Sequence, residues 1–313
     1  MTSTAAGRAR RRRALEAIAR GQGDVLSRRQ LYERGLTRAE VRAEIMARRW
    51  RRFGDQCVQT GPGDHTSPWW RALFEVGPRA VLDGVTALQA AGLTTITDDV
   101  IHVAIPKSAN PRRCRGVRVH ETRRYREEDV VSHGIPRMAP ATASVHAALW
   151  ARSHAQAALF IVAPVQQRLV SVPDLAAAVE LVKRHPRRRL LRQLVKDVDE
   201  GIESIGERDF ARACKRRGFP KPTRQEMRRL PSGRVFYDVT WGQYHVRVEL
   251  DGLQHLRVEQ AGADALKQNA ATIAGDRVLR IPFFAFRADP EPFLDQVEAA
   301  LRAGGWQPLV ASA

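Results

Sequence analysis

Residues Val235–Asp251 have the sequence VFYDVTWGQYHVRVELD, and this stretch decides the fold of the C-terminal region. Apolar and polar residues alternate on both sides of Gly242-Gln243, which is the pattern of two β-strands joined as a hairpin. A two-residue turn at Gly242-Gln243 predicts that Trp241 pairs with Tyr244.

This register brings three carboxylates to one face of the hairpin. It sets Arg247 opposite Asp238, Glu249 at the adjacent diagonal position, and Asp251 on the same face. Three converging carboxylates repel one another unless a cation neutralises them, and Mg²⁺ prefers oxygen ligands. The sequence therefore predicts a divalent-cation site, for Mg²⁺ or Mn²⁺. The other interpretation is an Asp238–Arg247 ion pair with a turn at Asp251-Gly252.

The charge of the whole chain indicates a polyanionic partner. Its 313 residues include 52 Lys and Arg against 34 Asp and Glu, a formal net charge of +18 at pH 7. The excess recurs along the chain, in the segments 10–13, 48–52, 112–118, 187–192 and 215–217. Neutralising phosphates releases counterions and gives affinity without a particular base sequence. Nucleic acid is therefore the expected partner.

Hydropathy and cysteine spacing exclude two other classes. The longest apolar run, around residues 155–165, is too short to span a bilayer, and no hydrophobic segment follows Arg8–Arg13. We expect a cytoplasmic protein without a membrane partner. Cys57, Cys114 and Cys214 are far apart and lack metal-ligand spacing, which predicts buried thiols rather than zinc ligands or disulfides.

Two helix-start signals follow one another near the N-terminus. Ser27-Arg-Arg-Gln30 and Thr37-Arg-Ala-Glu40 are capping boxes, and Gly35 can end the first helix. With the strand-like stretches 50–53 and 57–59 after them, they predict a winged helix-turn-helix. In the second helix Val41 and Ile45 form an inward stripe. The predicted DNA contacts are the arginines left exposed: Arg38, Arg42, Arg49, Arg51 and Arg52.

Three short motifs in this region carry a family resemblance. Gly23-Asp-Val-Leu-Ser27, Gly35-Leu-Thr37 and Arg48-Arg-Trp-Arg-Arg52 resemble the winged N-terminal domain of AbiEi-type antitoxins of abortive-infection systems. The resemblance implies promoter binding, autoregulation and a toxin partner. The helices alone also fit a small protein-interaction module.

Residues 65–200 are interpreted as a mixed α+β connector domain. Helical patterns at 142–151 and 173–185 accompany strand-like patterns at 100–105 and 116–120. Four histidines in this part have no metal or triad spacing and are interpreted as structural: His102, His120, His133 and His146.

The C-terminal segment, residues 201–313, has the order helix, hairpin, helix, strand, helix. Its polar series is Glu207, Asp238, Glu249-x-Asp251-Gly-x-x-His255, Asp264 with Lys267, and Arg280. This order of elements and this series of polar residues resemble those of the PD-(D/E)XK superfamily. They resemble more closely a bacterial domain related to the very-short-patch-repair (Vsr-like) endonucleases. The resemblance implies a restriction-endonuclease-like α/β core.

The resemblance also implies roles for individual residues. Asp238 would be the central metal ligand and Glu249 the second, with Glu207 contributing from the first helix. Asp251 stands where the superfamily usually has a lysine, and a carboxylate cannot supply that positive charge.

Two further roles follow from the same resemblance. His255 is the implied general base, because an imidazole titrates near neutral pH. Lys267 or Arg280 would steady the phosphate.

The sequence thus predicts a multidomain α+β protein: a winged helix-turn-helix (1–64), a connector (65–200) and an endonuclease-fold domain (201–313). The predicted function is a Mg²⁺-dependent DNA endonuclease, a hydrolase for repair, phage defence or mobile-element control. The alternative is a non-enzymatic transcriptional regulator or type IV antitoxin with a degenerate nuclease fold. RNA binding stays open, although aromatic residues are only 6% and no stacking motif is present.

Overall fold

A computed structural model gives the structure of the protein and describes residues 5–199, 205–229, 235–251, 277–282, 286 and 289–307. Within these residues the chain is mixed α+β, with eleven α-helices and three sheets. It divides into two compact units, Met1–His146 and Ala147–Ala313. The predicted mixed α+β class is therefore confirmed, and the three-domain division stays a prediction.

The first unit begins with three helices and a small antiparallel sheet of strand order β1-β3-β2. The helices are α1 (Ala5–Arg20), α2 (Arg28–Glu33) and α3 (Arg38–Met46). The strands are β1 (Val25–Ser27), β2 (Arg51–Arg52) and β3 (Cys57–Gln59).

Both predicted capping boxes are present. The Ser27 hydroxyl accepts a hydrogen bond from the Gln30 backbone N–H, and the Gln30 side chain accepts one from the Ser27 backbone N–H. Thr37 and Glu40 make the same reciprocal pair at the start of α3. Gly35, with φ +79°, supplies the left-handed turn between the helices. Each cap contributes about 1 kcal/mol, so local residues fix both helix starts.

The predicted inward stripe of α3 is also confirmed. Val41 is fully buried, and the partly buried Ile45 packs against the same core. That core joins α1, β1, α2, α3 and β3 through Leu15, Ala19, Leu26, Leu31, Val41 and Val58. The opposite side of α3 is therefore left to solvent.

The rest of the first unit surrounds a five-stranded sheet of order β6-β5-β4-β8-β7, in which β6 is an edge strand. Its helices are α4 (Ser67–Val76) and α5 (Gly84–Ala90). Its strands are β4 (Val81–Leu82), β5 (Ile101–Pro106), β6 (Val117–Thr122), β7 (Val130–Val131) and β8 (Arg137–Met138). The predicted strands near 100–105 and 116–120 are therefore confirmed.

Four helices follow this sheet. They are α6 (Pro140–Trp150), α7 (His154–Gln166), α8 (Val172–Glu180) and α9 (Arg188–Asp199). Among the helices that the structure describes, none combines the length and apolar composition needed to cross a membrane.

The C-terminal elements build a four-stranded sheet of order β12-β11-β10-β9. They are α10 (Ile205–Arg216), β9 (Arg224–Arg229), β10 (Val235–Trp241), β11 (Val246–Asp251), β12 (Arg277–Pro282) and α11 (Glu291–Ala303). β9, β10 and β11 are antiparallel neighbours, and β12 runs parallel to β11. β10 and β11 are thus the central strands.

One face of this sheet packs into an apolar core, which fixes its register. The core positions of the hairpin are Val239, Trp241, Val246, Val248 and Leu250. Burying a Val or Leu side chain contributes about 1.5–3 kcal/mol, so a one-residue slip of β11, which turns its three core side chains outward, would cost roughly 5–9 kcal/mol. The polar residues of both strands are therefore held on the other face.

The predicted two-residue turn is wrong. Gly242–Tyr244 forms a turn of 3₁₀-helix, and His245 follows in the left-handed conformation at φ 53°. Because His245 lengthens the connection, Trp241 pairs with Val246 instead of Tyr244. The observed pairing differs from the predicted one by two residues. Because side chains alternate with a period of two, every side chain stays on the predicted face of the sheet.

Candidate functional site

The backbone register aligns four polar positions in one row across the C-terminal sheet. Asp238 pairs with Glu226 on one side and with Glu249 on the other, and Glu249 pairs with Arg280. Side chains alternate between the faces of a sheet, so these positions share the face opposite to the apolar core. Cβ atoms at directly opposed positions are about 5 Å apart. Asp238 and Glu249 are therefore neighbours, and Glu226 joins them.

Glu249 is a buried carboxylate with a cationic neighbour. The residue is only 4% exposed, and its Oε2 lies 3.4 Å from Arg280 Nε. Burying an uncompensated carboxylate costs several kcal/mol, and the nearby guanidinium reduces this cost. The contact is longer than a charge-assisted hydrogen bond of about 2.8 Å. Arg280 thus offsets the charge of Glu249 without forming a tight bond to it through Nε.

The expected position of Arg247 is corrected by the same register. Arg247 is level with Thr240, so the directly opposed Asp238–Arg247 pair is wrong, and Glu249 takes that place. The cause is the longer connection at the hairpin end. Asp251 is level with Phe236 and lies two positions beyond Glu249, on the face of Glu249.

The other residues of the predicted site are described in part or not at all. Glu207 lies in α10 and Asp251 ends β11, but their side chains, like that of Asp238, are outside the described part of the structure. His255 and Lys267 lie outside the described residues altogether. Their roles as general base and phosphate-binding group stay predictions.

α3 presents a basic surface on its exposed side. Arg38 and Arg42 are exposed one turn apart, whereas Val41 is in the core. Neither arginine pairs with a carboxylate that the structure describes. Arg49 is also exposed, and its guanidinium makes two hydrogen bonds of 2.6 and 3.0 Å to the carboxylate of Glu44. Arg38 and Arg42 are therefore the better-placed phosphate ligands of the three.

The predicted wing is the β2–β3 hairpin, and its arginines have partners within the chain. Arg51 donates a hydrogen bond to Gln59, and its guanidinium lies 5.4 Å from the ring centroid of Phe53. Arg52 donates to Asp55. An exposed ion pair contributes at most about 1 kcal/mol, so a DNA phosphate could replace the carboxylate at small cost.

Glu226 is a position that the sequence reasoning missed. The strand 224–229 has the sequence RQEMRR, in which polar residues stand at both the even-numbered and the odd-numbered positions. An inward and an outward face cannot be told apart in such a strand. Its pairing with β10 supplies the missing information.

A second group of polar side chains lies inside the first unit. His102 Nδ1 is 2.9 Å from His120 Nε2, and His102 Nε2 is 3.3 Å from Asp98 Oδ2. His146 Nδ1 is 2.8 Å from Oδ2 of Asp83, which is fully buried. Two of these contacts join residues 18 and 63 positions apart, so sequence spacing carries no signal for them.

The stability of the protein should depend on pH through His120. Burial, followed by the nearby charges of His102, Arg118 and His146, lowers the pKa of His120 to about 3. An unfolded histidine titrates near pH 6.5, so unfolding takes up a proton between these values. The contribution of His120 to the free energy of unfolding is therefore complete above about pH 6.5, and it is lost as the pH decreases toward about 3.

We expect His120→Gln to weaken this pH dependence, measured by urea denaturation between about pH 7 and pH 4.5. His133→Gln is the matched control, because His133 is exposed. Equal dependence in the wild type and His120→Gln would contradict a neutral, partly buried His120.

The cysteines take no part in a metal site among the described residues. Cys57 and Cys214 are buried, and burial is the first cause that raises the pKa of each thiol to about 12. The predicted buried thiols are confirmed for these two, and Cys114 is half-buried. No group of three or more His, Cys, Asp or Glu residues suited to a metal ion occurs within the described ranges.

Comparison with known proteins adds no family assignment. No protein-family model matches the chain, and no curated protein matches its sequence.

Proposed function

We propose that the protein is a DNA-binding, Mg²⁺-dependent endonuclease that hydrolyses phosphodiester bonds at its C-terminal sheet. The observation that carries the proposal is the pairing of Asp238 with Glu249 on the two central strands, facing away from the apolar core. Opposed carboxylates repel each other unless they share a cation, and hard divalent cations prefer carboxylate oxygens. The site therefore suits Mg²⁺ or Mn²⁺.

The order of the surrounding elements supports a relationship to the PD-(D/E)XK superfamily. α10 precedes the antiparallel strands β9–β11, and β12 then adds in parallel before α11. This order is compatible with the helix, hairpin, helix, strand and helix that the resemblance implies, of which the second helix lies outside the described residues. Both carboxylates stand on central strands, where hydrogen bonding on both sides holds the backbone.

Residues in and near the aligned row of the C-terminal sheet would have separate roles in hydrolysis. Asp238 and Glu249 would hold the cation, with Glu207 contributing from α10. When bound, Mg²⁺ polarises a phosphoryl oxygen and acidifies a coordinated water. His255 would take the proton of the attacking water as the new P–O bond forms and the P–O bond to the leaving sugar oxygen breaks.

A positive charge is also needed near the scissile phosphate. In the resemblance, Asp251 stands where the superfamily usually has a lysine, and a carboxylate cannot supply this charge. Arg280 is level with Glu249 and within 3.4 Å of it, so its guanidinium can neutralise a phosphate at the same place. Lys267 is the second candidate for this role.

The N-terminal elements support duplex DNA as the substrate. Two capped helices across the Gly35 turn, followed by the β2–β3 hairpin, follow one another in the order of a winged helix-turn-helix, which supports this part of the proposal. α3 would enter the major groove with Arg38 and Arg42 toward the DNA. A protein that acts on chromosomal or phage DNA in this way would work in the cytoplasm.

The experiment that tests the proposal is cleavage of supercoiled plasmid by the wild-type protein. We expect nicking with Mg²⁺ or Mn²⁺, none with EDTA, and weaker cleavage of a matched RNA. Tight DNA binding without nicking in either metal would overturn the endonuclease.

One observation favours a second function, a non-enzymatic regulator or type IV antitoxin with a toxin partner. The Glu249 carboxylate already has Arg280 as a neighbour. The resemblance adds that Asp251 stands where the superfamily usually has a lysine. A nuclease fold that serves only as a scaffold or partner-binding module would tolerate both. This function predicts protection by the protein of its own promoter in a footprint, with no cleavage.

A further inference from the structure

Residues 107–126 form a strongly basic segment of the first unit. It contains eight Lys and Arg and a single acidic residue, Glu121. The segment includes β6, which is an edge strand and therefore has one side without a neighbouring strand in the sheet. Its charge is thus displayed along the rim of the five-stranded sheet.

The single carboxylate of the segment is already engaged. Arg113 Nη2 lies 2.5 Å and Lys107 Nζ 3.8 Å from the carboxylate of Glu121. Arg115, Arg118 and Arg123 are exposed, and none of them pairs with another side chain in the described part of the chain. The positive charge of these three guanidinium groups is therefore not neutralised by a side chain of the described part of the chain.

The backbone of the segment is held in place at two points. β6 pairs with β5 over six positions, from Val117 to Thr122. Before the strand, Arg112 anchors the chain through three bonds of 2.9 to 3.3 Å to backbone carbonyls of α4. Because the backbone that carries the three arginines is fixed, less conformational entropy is lost when an anionic partner binds them.

We propose that Arg115, Arg118 and Arg123 form a second DNA-contact surface, which binds backbone phosphates in addition to α3. The inference rests on the proposed function, because it takes the same duplex as the ligand. A six-residue strand spans about 20 Å, which corresponds to about six base-pair steps at 3.4 Å each. Three phosphates fit within that length, and the planar guanidinium binds phosphate in two-point geometry.

The composition of the surface favours DNA over an anionic membrane. Peripheral membrane binding combines basic residues with apolar side chains that enter the bilayer. Among the described residues, the exposed large hydrophobic side chains are Met46 and Leu181, and neither belongs to this segment. DNA is therefore the expected partner, and binding to an anionic membrane is the alternative result that the experiment distinguishes.

The test compares the salt dependence of DNA binding by full-length protein, using fluorescence anisotropy with a random-sequence duplex. For Arg115→Gln/Arg118→Gln/Arg123→Gln, the slope of log K against log salt should fall in magnitude by about 2 to 3, at roughly 0.9 per lost phosphate contact. Arg152→Gln/Arg168→Gln/Arg212→Gln is the matched control with three exposed arginines of the second unit. Its slope should stay near that of the wild type.

The outcomes separate this inference from the proposed function. Absence of DNA binding by the wild type would overturn both. If the wild type binds and an Arg38→Glu/Arg42→Glu variant is weakened, an unchanged slope in the β6 variant would overturn this inference alone. Loss of binding to phosphatidylserine vesicles with an unchanged DNA slope would assign the surface to a membrane instead.

Discussion

Asp238→Asn is expected to lower Mg²⁺-dependent plasmid nicking by about 100- to 1000-fold. Asp238 stands between Glu226 and Glu249 in the sheet, and asparagine keeps its shape while removing the charge that binds the cation. A bound metal stabilises the transition state by several kcal/mol, and each 1.36 kcal/mol corresponds to a factor of about ten in rate. Initial rates of conversion from supercoiled to open-circular plasmid measure the loss.

The matched control for this variant is Asp289→Asn, because Asp289 is an exposed aspartate near the start of α11. It should nick at the wild-type rate. Thermal melts of both variants check that the fold is kept. Nicking by Asp238→Asn at the wild-type rate, in preparations of equal purity, would show that the carboxylate row is not the catalytic site.

Charge reversal on α3 is expected to weaken DNA binding by roughly 100-fold at physiological salt. The variant Arg38→Glu/Arg42→Glu replaces two exposed cations of α3 with anions and leaves the buried Val41 unchanged. Phosphate contacts are lost and new repulsion is added. Folding should be retained, because Arg38 is in the first turn of α3, where a negative charge suits the helix N-terminus.

Arg152→Glu/Arg168→Glu supplies the control for net charge, since both arginines are exposed in the second unit. Gel shifts at several salt concentrations should show a small uniform effect for the control and a large one for the α3 variant. Equal affinities of the two variants would mean that α3 is not the recognition helix.

The hairpin illustrates which part of the site could be predicted from sequence. Alternation of apolar and polar residues determines the face of each side chain, because five buried side chains enforce it. The partner across the strands depends on the connection, and Gly242-Gln243 gave no sign that His245 would adopt a left-handed conformation. The shared face of Asp238 and Glu249 was therefore predictable, whereas their direct pairing was not.

Local interactions were predictable for a similar reason. The caps at Ser27 and Thr37 involve residues three positions apart, so the sequence contains the whole interaction. The Asp83–His146 contact joins residues 63 positions apart, and only the packing of α6 beside the sheet brings them together. Glu226 was missed because apolar and polar residues do not alternate in its strand.

The central claim is that the carboxylate row binds a divalent cation for catalysis. Calorimetric titration of Mg²⁺ or Mn²⁺ into the wild type and into Asp238→Asn/Glu249→Gln, with plasmid nicking on the same samples, tests it most directly. We predict cation binding and nicking by the wild type, and the loss of both in the double variant. No cation binding by the wild type, or nicking retained by the double variant, would contradict the claim.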